Sequence, residues 1–325
     1  MFQRIVVPLD GSKQAEQALP IAARMARASG GSIVLVRVVL PPLEFGKYAA
    51  PHSIAWERQA FATERAGAAS YLVNTLFTHN AELAGIEVEL GVAVGLVAPA
   101  IVSVARSQEA DVIVICSHGD TRLKRWFFGS VAHEVMKFSP VPTLILHEQG
   151  TRLVFHAAHP LRALVILDDS PHAMTVLEPA AHLLASLATP TPGILHLQRV
   201  LNPSSADGLW LNPCIDKIWR EAEASVRKMA NALRHSPAAA DLTITASVTT
   251  ASNLIETIKR QTTYATWPEQ EETDTFDLIA MPMQRRKGLR RLFRSSVTDH
   301  LSHATKLPLL IAPASEETSS LHAHQ

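Results

Sequence analysis

Residues 113–131 read IVICSHGDTRLKRWFFGSV, and they combine an apolar strand, a polar loop and the start of a helix. Gly119 and Gly129 bracket nine residues in this stretch, and Ser130 follows the second glycine. A helix N-terminus exposes unpaired N–H groups and a partial positive charge, so it favours a phosphate. Glycine lets the backbone come close to such an anion. The stretch therefore predicts an anion-binding loop at the end of a buried strand.

Short apolar runs alternate with helical periodicity through the first half of the chain. A buried strand is typically an apolar run of about four to eight residues, whereas a helix repeats its apolar residues at a longer period. The runs that fit the strand pattern are residues 5–9, 33–39, 86–94, 112–115 and 143–146. The helical patterns between them cover residues 12–30, about 55–83, 97–105 and 130–138. Strands that alternate with helices predict a mostly parallel sheet with helices on both faces.

Three blocks of the first half recur in the second half as similar sequences, each at the end of a predicted strand. The paired blocks are 6–12 with 164–170, 110–113 with 276–279, and 141–145 with 307–311. The first pair is shifted by 158 positions, and the other two pairs are shifted by 166 positions. Constant shifts over three blocks indicate an internal duplication. The alternative is two unrelated α/β domains whose strand ends happen to be similar.

The predicted fold class is therefore α/β, with two duplicated five-stranded, mostly parallel sheets related by a pseudo-twofold axis. The first domain is placed at residues 1–148, the linker at 149–160, the second domain at 161–314 and a flexible tail at 315–325. The polar segment 262–275 is the candidate insertion that lengthens the second half, and it predicts a surface loop. Because an unpaired edge strand is a liability, the fifth strands of the two halves are expected to pair.

Composition restricts the classes of function that remain. The 325 residues carry a formal net charge of zero and are 47% hydrophobic, so two cores can be buried and no overall charge favours nucleic acid. The two cysteines, Cys116 and Cys214, form no disulfide framework, which is typical of a reducing compartment. No signal peptide is expected, and no apolar run reaches about 18 residues. These features predict a cytoplasmic protein without a membrane span and without a specific nucleic-acid partner.

Two motifs give the chain a resemblance to the universal stress protein family, as a tandem of two such domains. The first is VVPLDGS at residues 6–12, in which an early strand ends at Asp10. The second is a loop of the family form G-x-x-G, nine residues, then G-[ST], which residues 116–130 match in all but one place. The resemblance covers residues 1–148 and 161–313, which is nearly the whole chain. It implies a five-stranded parallel α/β domain that binds ATP in some members of the family.

The resemblance also implies which residues would hold the nucleotide. Asp10 would lie against the adenosine, Pro8 would shape the pocket and Val38 would pack near the adenine. The residues implied around the phosphates are His118, Gly119, Gly129, Ser130 and Val131. ATP, with or without Mg²⁺, is the implied ligand of the first domain alone, and an unidentified protein partner would respond to its binding. A homodimer of the tandem chain is compatible with this prediction.

Two departures from the family pattern bear on these expectations. Cys116 stands where the motif has its first glycine. If the motif needs a positive φ at this position, a cysteine costs about 1–2 kcal/mol. If it needs only close approach of the ligand, the sulfur would crowd a phosphate or the ribose. If it needs neither, the cysteine does not impair binding. In the second half, Pro282, Arg285 and Ser295 replace the three glycines, and Asp169 adds a negative charge. Proline donates no N–H and arginine blocks close approach, so no ATP site is expected there.

Other features point to alternative functions. Six basic residues within 285–294 could dock a protein partner or an anionic ligand, and in that alternative the chain is an interaction protein that binds no nucleotide. A solvated loop is the simpler interpretation. His300 and His303 have a spacing that metal sites use, but no further ligand is identifiable, so no metal site is predicted. Cys116 is interpreted as a small apolar substitute for glycine, with a redox-sensing thiol as the alternative.

No catalytic residue is predicted. The NTPase loop G-x-x-x-x-G-K-[ST] and the hydrolase elbow G-x-S-x-G are both absent from the sequence. We expect no enzymatic activity beyond slow hydrolysis of bound ATP. A binder of adenine dinucleotides is a third hypothesis, which the long gap between the loop glycines disfavours because such sites use a tighter G-x-G-x-x-G.

Overall fold

The computed structural model separates into two compact units, one built mainly from residues 2–148 and the other from residues 149–325. For residues 51–57 and 215 it describes the backbone alone. The residues that it describes are 2–41, 51–117, 129–147, 160–167, 173–189, 191–201, 215–250, 276–283, 305 and 307–313. Several predicted segments lie outside these residues, namely most of the linker, the loop 262–275, the basic segment 285–294 and the tail 315–325.

The first unit is a sheet whose strands alternate with helices. Its elements are β1 (Arg4–Pro8), α1 (Lys13–Glu16), α2 (Ala18–Ser29), β2 (Ser32–Val39), α3 (Pro51–Thr78), α4 (Asn80–Leu83), β3 (Glu87–Val94), α5 (Val97–Ser107), β4 (Val112–Ser117), α6 (Ser130–Phe138) and β5 (Thr143–His147). The strand order is β3-β2-β1-β4-β5. All four neighbouring pairs are parallel. The α/β fold with a parallel sheet, predicted from the alternating pattern, is therefore confirmed.

This strand order creates a crevice between β1 and β4. The chain leaves β1 toward β2 on one side, and it leaves β4 toward β5 on the other side. Right-handed crossovers consequently place α2 and α3 on one face of the sheet, and α5 and α6 on the opposite face. Ligands of open α/β sheets bind at the carboxyl ends of the strands where the crossovers diverge in this way. The topology thus directs attention to the residues that follow β1 and β4.

Local sequence explains why the first elements begin and end where they do. The N–H of Ala15 donates to Ser12 Oγ at 3.1 Å, so Ser12 caps α1. Gly30 ends α2 with φ 65°, a left-handed conformation that glycine adopts without a steric penalty. The apolar strand residues are buried, and those with no exposed surface include Ile5, Val6, Val7, Ile33, Leu35, Val112, Ile113, Val114, Leu144 and Ile145. These strands form the core that positions the crevice.

The predicted single helix over about 55–83 is wrong in one respect, because the chain breaks at His79. Helix α3 ends at Thr78, and α4 begins at Asn80. His79 has φ −101° and ψ 20°, outside the helical region. Its ring contacts Glu16 and Glu82, and these polar contacts occur where the helix is interrupted.

The second unit has the same connectivity as the first. Its elements within the described residues are β6 (Arg162–Leu167), a 3₁₀ turn (Ala173–Val176), α7 (Leu177–Ala188), β7 (Gly193–Leu201), α8 (Ile215–Arg234), a second 3₁₀ turn (Pro237–Ala239), β8 (Leu242–Thr250), β9 (Leu278–Pro282) and β10 (Leu309–Ala312). The strand order is β10-β9-β6-β7-β8, and the neighbouring pairs are parallel. Read as first to fifth strands, both units follow the order 3-2-1-4-5.

The duplication extends to individual hydrogen bonds. Asp111 Oδ2 accepts the backbone N–H of Arg4 at 2.8 Å, just before β4. Asp277 Oδ2 accepts the backbone N–H of Arg162 at 2.8 Å, just before β9. In return, the N–H of each aspartate donates to the carbonyl of the same arginine, at 2.9 Å and 2.8 Å. In both units one carboxylate therefore satisfies the exposed start of the first strand, which would otherwise leave a donor unpaired.

Candidate functional site

Three of the predicted site residues lie at or just after the carboxyl ends of adjacent strands. Pro8 is the last residue of β1; it is buried and pairs with Val36 on β2. Asp10 comes two residues later and is exposed. Val38 lies near the end of β2, is partly buried and pairs with Ala93. Because β1 and β2 are parallel neighbours, these residues share the edge of the sheet at which the crevice opens.

The turn after β1 fixes the orientation of Asp10. The N–H of Ser12 donates to Asp10 Oδ1 at 2.9 Å, which closes an Asx turn. Gly11, between them, has φ 92°, a conformation that side chains rarely adopt. Ser12 in turn caps α1, so turn and helix form one continuous structure. The sequence Asp-Gly-Ser thus holds a carboxylate at the edge of the sheet.

The N-terminus of α6 supplies the complementary electrostatics. Gly129 is its N-cap residue and accepts the N–H of His133 at 3.0 Å, while Ser130 and Val131 are its first two helical residues. Among the residues that the structure describes, no side chain caps this helix, and its first N–H groups suit an anion. Gly129 has φ −50° and ψ 127°, which any residue adopts. The glycine therefore contributes the absence of a side chain rather than an unusual conformation.

The N-terminus of α6 and the Asp10 turn lie at the same edge of the sheet. Helix α6 packs against β4 and β5 and returns the chain to the start of β5, so its own start lies at the carboxyl edge. His118 and Gly119 lie outside the described residues, and their predicted phosphate contacts stay predictions. Gln14 Nε2 on α1 donates to the carbonyl of Ser117 at 3.4 Å, which joins the Asp10 side of the crevice to the end of β4.

Cys116, the departure from the family motif, is a strand residue. It lies in β4 opposite Leu146, and it has no positive φ, so the backbone penalty considered above does not arise. The side chain is 6% exposed. Burial raises the pKa of the Cys116 thiol to about 12, and the negative charge of Asp10 adds to the rise. The thiol is therefore protonated at neutral pH, which contradicts the redox-sensing alternative and favours a small apolar substitute for glycine.

Glu16 is a buried carboxylate that the sequence motifs did not reveal. It lies on α1, is 5% exposed and accepts hydrogen bonds from Lys13 Nζ at 2.8 Å and Tyr71 Oη at 3.1 Å. His79 Nε2 lies 3.3 Å from Glu16 Oε2, and His79 Nδ1 lies 2.6 Å from Glu82 Oε2. Burial alone would raise the pKa of Glu16, but the hydrogen bonds from Lys13, His79 and Tyr71 hold it below its usual range. Ionised Glu16 therefore ties the helix after the Asp10 turn to α3 and α4.

Arg37 is the second residue that the sequence analysis missed. It lies on β2, and its guanidinium carbon is 4.8 Å from the centre of the Tyr71 ring. A Cβ built on Gly11 would lie 2.4 Å from Arg37 Nη1, so the guanidinium packs directly against the turn. Burial raises the pKa of Tyr71 to about 12, and the charges of Glu16 and Asp10 contribute. The available signal was a single charged residue inside the apolar run 33–39.

The second unit confirms part of the alignment between the two halves. Pro282 pairs with Ala312 in β9, as Cys116 pairs with Leu146 in β4, so proline occupies the register position of the cysteine. Proline donates no N–H at this position. Arg285, Ser295 and the Asp168–Asp169 pair lie outside the described residues. The expected lack of an ATP site in the second domain thus stays a prediction.

The remaining candidates yield no further site in the described part of the chain. Residues 285–294, His300 and His303 all fall outside it. Within it, no group of three or more His, Cys, Asp or Glu side chains is placed to hold a metal ion. Across the same residues, every helix is too short or too polar to cross a membrane.

Comparison with known proteins places these features in a family. The model of the universal stress protein family matches residues 1–147 and again residues 161–313. A universal stress protein of Methanocaldococcus jannaschii is 29% identical over 147 residues, which are 45% of this chain and 82% of that protein. The crystal structure of a universal stress protein from Archaeoglobus fulgidus has a TM-score of 0.59 at 18% identity and covers 97% of both chains.

A structure from Pseudomonas aeruginosa gives a similar result, with a TM-score of 0.59 at 14% identity over 96% of this chain and 93% of that chain. At such identities the two structures establish a common fold and nothing finer. The family model, in contrast, matches both halves and most of the sequence. The chain therefore belongs to the universal stress protein family and carries two of its domains in tandem.

Proposed function

We propose that the first domain binds ATP between the Asp10 turn and the N-terminus of α6. The observation that carries the proposal is that an oriented carboxylate and a helix N-terminus, which has no side-chain cap among the described residues, lie at one edge of the sheet. A carboxylate accepts hydrogen bonds from ribose hydroxyls, whereas exposed N–H groups favour phosphate oxygens. The two ends of a nucleotide therefore find opposite chemistry at the two ends of this crevice.

Each predicted residue has a role in this arrangement. Asp10, held by Ser12, accepts the ribose hydroxyls, and Pro8 and Val38 provide apolar surface near the adenine. Gly129 lets the phosphates approach the N–H groups of Ser130 and Val131 closely. His118 and Gly119 would complete the phosphate loop. Mg²⁺ would arrive with the nucleotide, because this ion is commonly held through substrate phosphates and few protein ligands.

The proposed activity is binding, followed by interaction with a protein partner in the cytoplasm. The sequence lacks the NTPase loop, and Asp10 is held by the Ser12 N–H as part of a turn. We therefore propose a ligand-dependent interaction protein, with slow ATP hydrolysis at most. Its first domain would hold the nucleotide, and its second domain, which lacks the three motif glycines, would not.

Calorimetric titration of the full chain with ATP tests this proposal. Gly129→Glu would fill the space before α6 and repel the phosphates, and it strains no backbone because φ is −50°. We expect wild-type binding and a loss of at least about tenfold in affinity for Gly129→Glu, since charge-assisted hydrogen bonds to phosphate are removed. Ser295→Glu, at the aligned position of the second half, is the matched control and should bind like wild type. Equal affinities for wild type and Gly129→Glu, or no binding by the wild type, would refute the proposal.

A further inference from the structure

Arg37 is a partly buried cation beside the proposed nucleotide site, and its role is not explained by the fold. Its guanidinium stacks on Tyr71 and packs against Gly11, the residue next to Asp10. The Arg37 guanidinium forms no hydrogen bond and no ion pair with another described side chain. The stacking partner and the glycine together hold the planar group in place while its N–H donors stay unused.

Other residues of the same unit show that the fold does provide partners for such groups. Arg4, on the neighbouring strand, pairs with Glu89 and Gln108. Glu16, the buried carboxylate nearest the Tyr71 hydroxyl, already accepts hydrogen bonds from Lys13 and Tyr71. Arg37 is thus left with donors that suit an anion from outside the chain.

The position of Arg37 identifies which part of a nucleotide it would meet. It precedes Val38 on β2 and contacts the turn that carries Asp10. In the proposed binding mode these two residues lie at the adenosine, whereas the 5′-phosphates lie at α6. Arg37 consequently belongs to the ribose end of the ligand, where ATP itself carries no negative charge.

We propose that the first-domain site selects adenine nucleotides that carry an additional phosphate on one of the two ribose oxygens, 2′ or 3′, and that Arg37 recognises this phosphate while the remaining ribose hydroxyl donates to Asp10. A guanidinium matches phosphate oxygens through two parallel N–H donors. Dinucleotide sites of other α/β folds use an arginine near the ribose to accept a 2′-phosphate in the same chemical manner. The proposal rests on the proposed function, because it places the adenosine against Asp10 and Val38.

Titration calorimetry of the full chain at constant ionic strength tests the inference. The probes are AMP, adenosine 2′,5′-bisphosphate and adenosine 3′,5′-bisphosphate, with ATP as the reference. We expect one of the bisphosphates to bind roughly tenfold or more tightly than AMP, as a charge-assisted hydrogen-bond pair would give. Arg37→Met, which keeps an apolar stem against Tyr71, should abolish this preference and leave the AMP affinity within about twofold of wild type.

Arg106→Met is the matched control, because it removes the same charge from an exposed residue in the last turn of α5, at the opposite edge of the sheet. It should retain the preference. Equal binding of AMP and both bisphosphates by the wild type would overturn the inference without requiring any variant to fold. A preference that survives in Arg37→Met would also overturn it. If ATP binds without any preference for a bisphosphate, only this inference fails, whereas a chain that binds none of the four probes refutes the proposed function as well.

Discussion

A buried thiol with a raised pKa reacts slowly, and Cys116 provides a direct test at the scale of one residue. The pKa of its thiol rises from 9.0 to about 12, so roughly a thousandfold less thiolate is present near neutral pH than for an ordinary cysteine. In a Cys214→Ser background, we expect iodoacetamide to modify Cys116 in the unfolded chain but hardly at all in the folded chain. Modification of the folded chain at the rate of a free thiol would contradict the buried, protonated state.

Gly31 and Gly67 differ in the space that is available for an added side chain. A Cβ on Gly31 would lie 2.6 Å from the carbonyl oxygen of Gln3 and 2.7 Å from that of Phe2, so backbone atoms would have to move. Gly31→Ala should lower the free energy of unfolding by about 1–3 kcal/mol. Gly67, on α3, has no atom within 4 Å of such a Cβ, and Gly67→Ala should raise stability by about 0.5–1 kcal/mol through helix propensity. Urea unfolding measures both, and equal effects of the two substitutions would contradict this packing.

At the scale of elements, Glu16 links α1 to α3 and α4, and this link depends on pH. The pKa of Glu16 in the folded chain lies below its ordinary value of 4.5. Its contribution is therefore fully present above the unfolded pKa and is lost as the pH falls through the folded pKa. Glu16→Gln should cost about 1–3 kcal/mol at pH 7, as expected for hydrogen bonds to a buried charge.

Urea unfolding at pH 7 and at a pH below 4.5 compares the two states of this carboxyl group. The difference between wild type and Glu16→Gln should shrink at the lower pH, because below 4.5 the unfolded chain binds a proton at Glu16 more readily than the folded chain does. Glu82→Gln, whose side chain is 44% exposed, is the control and should have a smaller effect at pH 7. A difference that stays constant with pH would show that Glu16 stabilises by packing rather than by charge.

At the same scale, local sequence predicts the strands and turns but not the contacts between side chains of distant elements. The strands and the Asp-Gly-Ser turn could be predicted because apolar runs and turn chemistry are local properties of the sequence. The contact of His79 with Glu16 joins residues 63 positions apart, and it depends on how α3 and α4 pack against α1. Arg37 meets Gly11 and Tyr71 for the same reason. No local pattern specifies such pairings, so these site residues emerged only from the three-dimensional structure.

At the scale of the whole molecule, the duplication preserves the scaffold and changes the chemistry. Both units share strand order, and both close the start of their first strand with an aspartate. Proline replaces Cys116 at the equivalent strand position, and the motif glycines Gly119 and Gly129 have become Arg285 and Ser295. The aspartate that binds the start of the first strand is needed wherever the fold is retained. The loop glycines are needed only where an anionic ligand binds. We therefore propose that one domain binds the nucleotide and the other serves as its structural partner.

Native mass spectrometry of the full chain, titrated with ATP, counts the nucleotides that each chain holds. At saturating ATP the first-domain site predicts one ATP per chain for the wild type and for Ser295→Glu, and at an ATP concentration equal to the wild-type Kd it predicts about half occupancy for these two and about a tenth or less for Gly129→Glu. Two bound nucleotides per chain, or equal occupancy of the wild type and Gly129→Glu at that lower concentration, would contradict a single site at the N-terminus of α6, and a wild-type chain that remains unbound at saturating ATP would contradict nucleotide binding altogether.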